Sequence, residues 1–218
     1  RLASLMKIQA IYVFRHDSVF LGEDGPTHQP VEQVWGLRTV PGLDVVRPAD
    51  GVETAYAWAH ALKRRDAPTA LSLTRHNIPA LERPADFQLS SLEDGGYVVR
   101  DVKDPELVLI ATGSEVSVAL EAVAILEKEG RRIRVVSMPC LEAFLRLPAE
   151  KQDAVLLKGV RRASFELGIT TPWKALTGLD GINIGIDHFG ASAPYEVLAD
   201  QFGVTAEKVA ARISQELA

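Results

Sequence analysis

Two histidines and an aspartate lie close together in one short polar segment: His16, Asp24 and His28. An imidazole can donate, accept or shuttle a proton near neutral pH, and a carboxylate accepts hydrogen bonds from hydroxyl groups. Together these side chains can bind a small polar ligand and move one of its protons. The segment is therefore our candidate for a functional loop.

The position of this loop supports that role. It follows an apolar segment, residues 8–14, whose β-branched and aromatic residues predict a buried strand. Ligands of parallel α/β sheets bind beyond the carboxyl ends of strands, and this loop leaves such an end. Glycines and prolines at positions 22, 25, 26 and 30 break any continuous helix in it. The resulting irregular backbone favours a ligand-binding loop.

Two other interpretations of the loop remain open. Asp17, Ser18 and Thr27 are common in turns and caps, so the loop can be a polar connector whose side chains only satisfy backbone groups. A metal site built from the two histidines and the aspartate is also conceivable, although their spacing matches no common ligand pattern. The GEDG segment lacks the alternating acidic ligands of a calcium loop.

Strand-like and helix-like segments alternate along the chain, which predicts an α/β fold of mostly parallel sheets covered by helices. In the first unit, strands are predicted at residues 8–14, 43–48 and 69–74. A helix is predicted over 31–40, and another follows Asp50, an N-cap with Glu53 in the matching capping-box position.

A second, consecutive α/β unit is predicted after a segment rich in proline and glycine. Residues 79–96 show no sustained period and are the predicted linker between residues 1–78 and 97–218. Strands are predicted at 96–102, 106–113, 132–139, 162–167 and 181–186. Helices are predicted at 114–130, 141–147, 148–156 and 205–217, the last capped by Thr205.

Composition argues against several classes of partner. The formal net charge is −5, and no run of lysine or arginine is long enough for a basic arm, so no nucleic-acid partner is expected. No apolar run approaches the roughly 20 residues of a membrane helix, so no membrane partner is expected. A single cysteine, Cys140, excludes an internal disulfide framework and is typical of a reducing, cytoplasmic environment. The chain begins RLASLMK without an initiator methionine, and we expect it to be part of a longer protein.

Several motifs resemble one enzyme family. The first unit contains HDS at residues 16–18, GEDGPTHQPVEQ at 22–33, LRTVPGLDVVRPAD at 37–50 and PTALSLTR at 68–75. These motifs resemble the second half of the pyrimidine-binding domain of transketolases. In the second unit, ATGSEV and VVSMPC resemble the start of that family's C-terminal domain. The similarity runs in order over nearly all 218 residues.

The same loop separates the chain from related families. Deoxyxylulose-phosphate synthases share a GADGPTH-like core, but HDS and the QP at residues 29–30 resemble transketolases instead. The beta chains of 2-oxo acid dehydrogenases lack the GEDGPTH loop. Phe20 departs from the transketolase pattern, which usually has a small residue there. Two explanations of Phe20 remain open: its bulky side chain is turned into the core, or it alters the fit of the substrate.

The resemblance implies a thiamine-diphosphate-enzyme fold and a ketol-transfer reaction. Transketolases move a two-carbon ketol unit from a ketose phosphate to an aldose phosphate, a step of the pentose phosphate pathway. Their cofactors are thiamine diphosphate, which stabilises the carbanion, and a divalent metal, magnesium or calcium. Regions missing from this chain would hold them, so no residue here is assigned as a cofactor or metal ligand. The implied partners are sugar phosphates, the missing N-terminal part and, in a homodimer, a second copy.

The resemblance also assigns roles to individual residues. His28 is expected to transfer a proton or stabilise an oxyanion, with His16 in support, and both contact sugar oxygens. Asp24 is expected to accept a hydrogen bond from a substrate hydroxyl. Arg75, which follows the predicted strand at 69–74, is expected to bind the substrate phosphate through its guanidinium fork.

Alternatives of other classes are kept beside this interpretation. If Arg75 is considered without the resemblance, its simpler role is a surface ion pair with Asp66 or Glu82. For the chain as a whole, the alternatives are a non-catalytic α/β module for dimerisation or effector binding, and a related synthase such as deoxyxylulose-phosphate synthase. Because the cofactor-binding regions have no counterpart, the isolated 218-residue chain is expected to be inactive.

Overall fold

Two sheets form the framework of the protein, whose computed structural model describes residues 1–218. The first sheet has three strands in the order β1-β3-β2, all parallel. The strands are β1 (Ile11–Phe14), β2 (Asp44–Val46) and β3 (Thr69–Ser72). Every residue of β2 and β3 is buried, as expected for parallel strands covered on both faces.

The second sheet has five strands in the order β4-β6-β5-β7-β8. The strands are β4 (Tyr97–Arg100), β5 (Leu107–Ala111), β6 (Ile133–Ser137), β7 (Arg161–Phe165) and β8 (Ile182–Ile184). The edge strand β4 runs antiparallel to β6, whereas the other pairs are parallel. The predicted α/β class with mostly parallel sheets is therefore confirmed.

Helices cover the sheets and connect their strands. They are α1 (Leu2–Leu5), α2 (Gln33–Arg38), α3 (Gly51–Lys63), α4 (Glu115–Lys128), α5 (Leu141–Leu145), α6 (Ala149–Leu156), α7 (Lys174–Thr177), α8 (Tyr195–Gln201) and α9 (Ala206–Glu216). Short 3₁₀ segments lie at Val19–Leu21, Leu89–Asp94 and Thr171–Trp173. None of the helices has the length and apolar character that a bilayer-spanning segment requires.

The predicted helix caps form, with one variation. The Asp50 carboxylate accepts a hydrogen bond from the Glu53 amide at 3.0 Å and begins α3. The Glu53 carboxylate accepts from the Ala49 amide at 2.7 Å, one residue earlier than in the usual capping box. Thr205 caps α9 by accepting from the Lys208 amide.

Several predicted boundaries differ from the structure because other contacts hold the backbone. The strand predicted from residue 8 begins at Ile11, since the Ile8 amide donates to the Ala3 carbonyl instead. The helix predicted from residue 31 begins at Gln33, whose side chain accepts from the Val31 amide. Helix α8 was not predicted, because it is short and Pro194 gives no side-chain cap signal.

The two sheets share one hydrophobic core. A single cluster of 37 buried residues includes Val46 and Leu71 of the first sheet as well as Leu109 and Phe165 of the second. Strand β1, in contrast, is an edge strand with solvent-facing apolar side chains. Tyr12, Val13 and Phe14 are each 43% exposed. The first sheet therefore carries an open apolar edge.

Candidate functional site

The carboxyl ends of β1 and β3 lie side by side, because these parallel strands pair from Ile11 with Thr69 to Phe14 with Ser72. The loop after β1 and the segment after β3 therefore leave the same edge of the sheet. Arg75 and Asp24 meet there, with the Arg75 Nη1 atom 3.2 Å from the Asp24 Oδ2 atom. Both side chains are about half exposed. Arg75 thus forms an ion pair, but with Asp24 rather than with Asp66 or Glu82.

The first part of the loop is a buried 3₁₀ turn. The Ser18 hydroxyl accepts a hydrogen bond from the Phe20 amide at 3.2 Å and caps the segment Val19–Leu21. Gly22 ends the turn with a φ of 86°, a conformation that favours glycine. Phe20 is only 4% exposed, so this bulky side chain is turned inward. The polar-connector interpretation therefore holds for Ser18, which serves the backbone.

A segment of the second unit, residues 190–195, packs on the rest of the loop, and we call it the covering segment. The buried Gln29 side chain donates to the Gly22 carbonyl at 2.7 Å and to the Ala191 carbonyl at 2.9 Å. A Cβ atom at Gly190 would lie 1.6 Å from the Gln29 Oε1 atom, so a side chain there would displace the Gln29 amide. The Ser192 hydroxyl donates to the Glu23 carbonyl. These contacts fix the loop on both sides of Asp24.

The two candidate histidines lie on this loop with few partners. His28 is exposed, and its Nδ1 atom lies 2.9 Å from the Thr27 hydroxyl. His16 is half-buried, and its Nδ1 atom is shielded from solvent without a hydrogen-bond partner. Neither histidine hydrogen-bonds to Asp24 or Arg75. The structure thus brings Asp24 and Arg75 into contact, whereas neither imidazole bonds to this pair.

Three aromatic rings meet at His76. His76, the residue after Arg75, stacks on Tyr195 of the covering segment with ring centroids 5.0 Å apart. Phe20 meets the His76 ring edge-on at 5.4 Å and the Tyr195 ring at 5.9 Å. Burial lowers the pKa of His76, so its imidazole is neutral near pH 7. Tyr195 was missed by sequence reasoning, because no periodicity connects α8 to this loop.

A buried charge cluster lies beneath the loop. Arg47 is completely buried, and its guanidinium lies 2.8 Å from Asp17 and 2.5 Å from Glu115. Burial alone would lower the Arg47 pKa, but the charges of Glu115 and Asp17 raise it well above its usual value. Asp17 directly follows His16 in the chain. Arg47 therefore anchors the base of the candidate loop to α4 of the second unit.

The same cluster extends to Glu166, which directly follows β7 of the second sheet. Glu166 accepts hydrogen bonds from Arg38 at 2.8 Å and from the Thr112 hydroxyl at 2.7 Å. Thr112 also accepts from Arg47 at 2.8 Å. Buried arginines of the first unit thus pair with buried carboxylates of the second. Sequence periodicity gave no signal for this pairing, because the partners lie far apart in the chain.

The structure also allows a test of whether the chain could hold a diphosphate-bound metal. The ligand atoms of Asp44, His60 and Cys140 lie within 4.8 Å of one another. The Asp44 carboxylate, however, already accepts hydrogen bonds from Arg146 at 2.8 and 2.7 Å, and His60 lies 2.8 Å away. Burial favours a raised Asp44 pKa, but the His60 and Arg146 hydrogen bonds outweigh it and lower the pKa to about 2. A guanidinium at this carboxylate repels a metal cation, so these residues do not fit the cofactor's metal.

Two family models match the chain. The pyrimidine-binding domain of transketolase matches residues 1–80, and the transketolase-like C-terminal domain matches residues 95–205. The chain is 50% identical over 211 residues to the plasmid transketolase of Cupriavidus necator, covering 97% of this chain and 31% of the relative. It is 47% identical over 218 residues to the transketolase of Aquifex aeolicus, covering 99% and 32%. The chain therefore spans about a third of the length of these curated relatives.

Solved transketolase structures share the fold. The transketolase of Leishmania mexicana superposes with a TM-score of 0.90 at 44% identity, over 99% of this chain and 31% of that one. The Pichia stipitis enzyme in complex with sedoheptulose 7-phosphate gives a TM-score of 0.93 at 36% identity, again over 99% and 31%. An inactive β4 tetramer of a split-gene transketolase shares only the fold, with a TM-score of 0.76 at 23% identity over 98% and 69%.

Proposed function

Because this chain belongs to the transketolase family, we propose that it forms the substrate-facing part of an enzyme that transfers ketol units between sugar phosphates. The observation that carries the proposal is the meeting of Asp24 and Arg75 at the carboxyl ends of β1 and β3. A carboxylate acceptor for sugar hydroxyls and a guanidinium for phosphate then stand at one edge of the sheet.

Each residue of the loop has a separate task in this proposal. The exposed imidazole of His28 transfers a proton or stabilises negative charge on the substrate carbonyl oxygen. His16, which lies just after β1 at the start of this loop, contacts a second sugar oxygen. Asp24 selects the configuration of a substrate hydroxyl, and Arg75 binds the phosphate.

Thiamine diphosphate and a divalent metal belong to the proposal as cofactors of the complete enzyme. The cofactor supplies the electron sink of the reaction. Other regions of the enzyme hold both cofactors. The one cluster of possible metal ligands here does not fit the metal, because its Asp44 carboxylate already pairs with Arg146. Sugar phosphates as substrates are supported by the Pichia stipitis relative, which was solved with sedoheptulose 7-phosphate.

The remaining parts of the proposal concern organisation. Residues 1–78 and 97–218 form two domains joined by residues 79–96. The apolar edge of β1, with Tyr12, Val13 and Phe14 exposed, supports a covering by further chain of the same protein. We also propose a homodimer, the cytoplasm as location, and the pentose phosphate pathway as context.

The test compares two forms of the protein. The first is the 218-residue chain alone with thiamine diphosphate and magnesium, for which no ketol transfer is expected. The second, here called the intact enzyme, is the same chain joined to the region that binds the cofactor. It is expected to transfer a ketol unit from xylulose 5-phosphate to ribose 5-phosphate.

Each outcome tests a different part of the proposal. Turnover by the chain alone would refute the proposal that it needs the cofactor-binding region. No turnover by the intact enzyme would refute the proposed ketol transfer. Condensation of pyruvate with glyceraldehyde 3-phosphate, without ketol transfer, would support the related-synthase alternative instead.

A further inference from the structure

The ring stack beside Arg75 joins the two units at the candidate phosphate site. Tyr195 comes from the covering segment, His76 directly follows Arg75, and Phe20 comes from the turn after β1. We propose that Tyr195 is a positioning residue, which holds Arg75 in place through His76 and thereby sets the affinity for the substrate phosphate. This inference rests on the proposed function of Arg75.

The chain is held on both sides of Arg75, and His76 is held largely by the stack. On one side, the Leu73 amide donates to the Phe14 carbonyl at 2.7 Å and continues the pairing of β3 with β1. On the other side, the His76 Nδ1 atom lies 2.7 Å from the Thr74 hydroxyl while the ring lies on Tyr195. The backbone of Arg75 therefore has little freedom as long as His76 stays in the stack.

The stack acts by position and not by charge. The His76 imidazole is neutral near pH 7, because burial lowers its pKa. It therefore adds no positive charge that could attract a phosphate directly. The ring of Tyr195 lies nearly parallel to that of His76, with 23° between the planes, so the contact depends on the ring face.

A cavity next to the stack would let His76 move if the Tyr195 ring were absent. A cavity of about 310 Å³ borders Phe20, His76 and Tyr195. If the Tyr195 ring is removed, His76 can turn into the enlarged cavity and carry Arg75 with it. Tyr195 itself is 37% exposed at the start of α8, so its loss leaves the buried core of the fold intact.

The covering segment also holds the other half of the ion pair. Ser192 and Ala191 contact the loop on both sides of Asp24, as described above. The distance between Asp24 and Arg75 is thus set by one segment of the second unit. We therefore assign to this segment, and to Tyr195 in particular, a role in phosphate affinity.

The experiment measures KM and kcat of the intact enzyme for ribose 5-phosphate and for glycolaldehyde, an acceptor without phosphate. Tyr195→Ala is expected to raise KM for ribose 5-phosphate about tenfold, which corresponds to about 1.4 kcal/mol. The values for glycolaldehyde and kcat are expected to stay within about twofold. Tyr195→Phe retains the ring and is expected to restore the wild-type KM. Val197→Ala, an exposed apolar position on the same helix, is the matched control.

A double-mutant cycle makes the inference specific for Arg75. In an Arg75→Ala background, Tyr195→Ala is expected to have no further effect on KM, because the group that it positions is gone. Equal losses with both acceptors, or an unchanged KM, would overturn the inference. An Arg75→Ala variant with a normal KM for ribose 5-phosphate would refute the proposed role of Arg75 instead. If Tyr195→Ala lowers the melting temperature, Tyr195→Leu, which keeps apolar volume without an aromatic face, is expected to give the same rise in KM.

Discussion

Asp24 and Arg75 form an ion pair at 3.2 Å although 51 positions separate them in the chain. The side chains are 41% and 53% exposed, and ion pairs of this kind contribute only about 0–1 kcal/mol to stability. Such a pair opens easily. In the proposed function, a substrate phosphate therefore replaces the carboxylate on the guanidinium at little cost in free energy, while the pair keeps both groups oriented in the absence of substrate.

Arg75→Ala is expected to raise KM for phosphorylated acceptors about 100-fold, since a charged, two-pronged phosphate contact is lost. Arg75→Lys is expected to recover only part of this loss, because an ammonium lacks the planar fork. The measurement is steady-state kinetics of the intact enzyme with ribose 5-phosphate. Arg65→Ala removes an exposed arginine outside the site and should leave KM unchanged. A normal KM in Arg75→Ala would contradict phosphate binding by this residue.

His28→Ala is expected to lower kcat by about 10² or more, because a positioned proton donor or acceptor typically contributes that much. The affinity for thiamine diphosphate, measured by titration, should stay nearly intact, since His28 is an exposed residue of the candidate loop. His28→Gln keeps a hydrogen-bond donor without proton transfer and is expected to be almost as slow. Unchanged kcat would show that His28 has no part in the reaction.

Asp24→Ala is expected to lower ketol transfer strongly while leaving cofactor affinity intact, because a hydroxyl of the substrate loses its acceptor. The loss should be largest for substrates with the natural configuration next to the reacting carbonyl and small for the opposite epimer. A panel of epimeric aldose phosphates measures this preference. Glu23→Ala, at the exposed neighbouring position, serves as the control. Equal losses for both epimers would argue against a stereochemical role.

Arg47→Met is expected to lower the free energy of unfolding by about 3–5 kcal/mol, since it leaves Asp17 and Glu115 buried without their partner. Urea unfolding of the 218-residue chain measures the change. Lys63→Met breaks the exposed pair with Glu93 and should cost less than about 1 kcal/mol. If both variants lose the same small amount, the cluster does not hold the units together.

The lowered pKa of Asp44 predicts that the free energy of unfolding depends on pH. Its folded-state pKa is about 2, below the usual value of 3.8, so the carboxylate stabilises the fold above about pH 4. This contribution of about 2 kcal/mol is lost as pH falls through 2. Asp44→Asn should therefore be less stable than the wild type at pH 6, with the difference shrinking at pH 2. Asp86→Asn, at an exposed position, is the control in urea unfolding at both pH values. A constant difference for Asp44→Asn would contradict the lowered pKa.

Local patterns in the sequence carried enough information for the fold class and for most elements. The apolar run of β5 and the Asp50 cap of α3 are local signals, and the structure contains both. The loop containing Asp24 was also visible, because breakers and titratable groups are concentrated in it. The resemblance to transketolases, in turn, depended on short contiguous motifs.

Local patterns could not predict the contacts between segments that lie far apart in the chain. Arg47 and Glu115 are 68 positions apart, and each occurs in a stretch where a charged residue is usually exposed. Similarly, Tyr195 has no signal in the sequence that connects it to His76. Burial of charges and stacking of rings depend on how the two sheets pack, and periodicity within one element contains no information about that.

The covering segment has a consequence for recombining members of this family. Gln29 binds the backbone carbonyls of Gly22 and Ala191, so the contact tolerates many side chains at position 191, whereas a side chain at 190 would displace the Gln29 amide. A chimera that takes its second unit from a relative therefore also takes over the geometry of the loop in the first. Exchange points placed between the two units would keep every residue of the loop and still alter its shape.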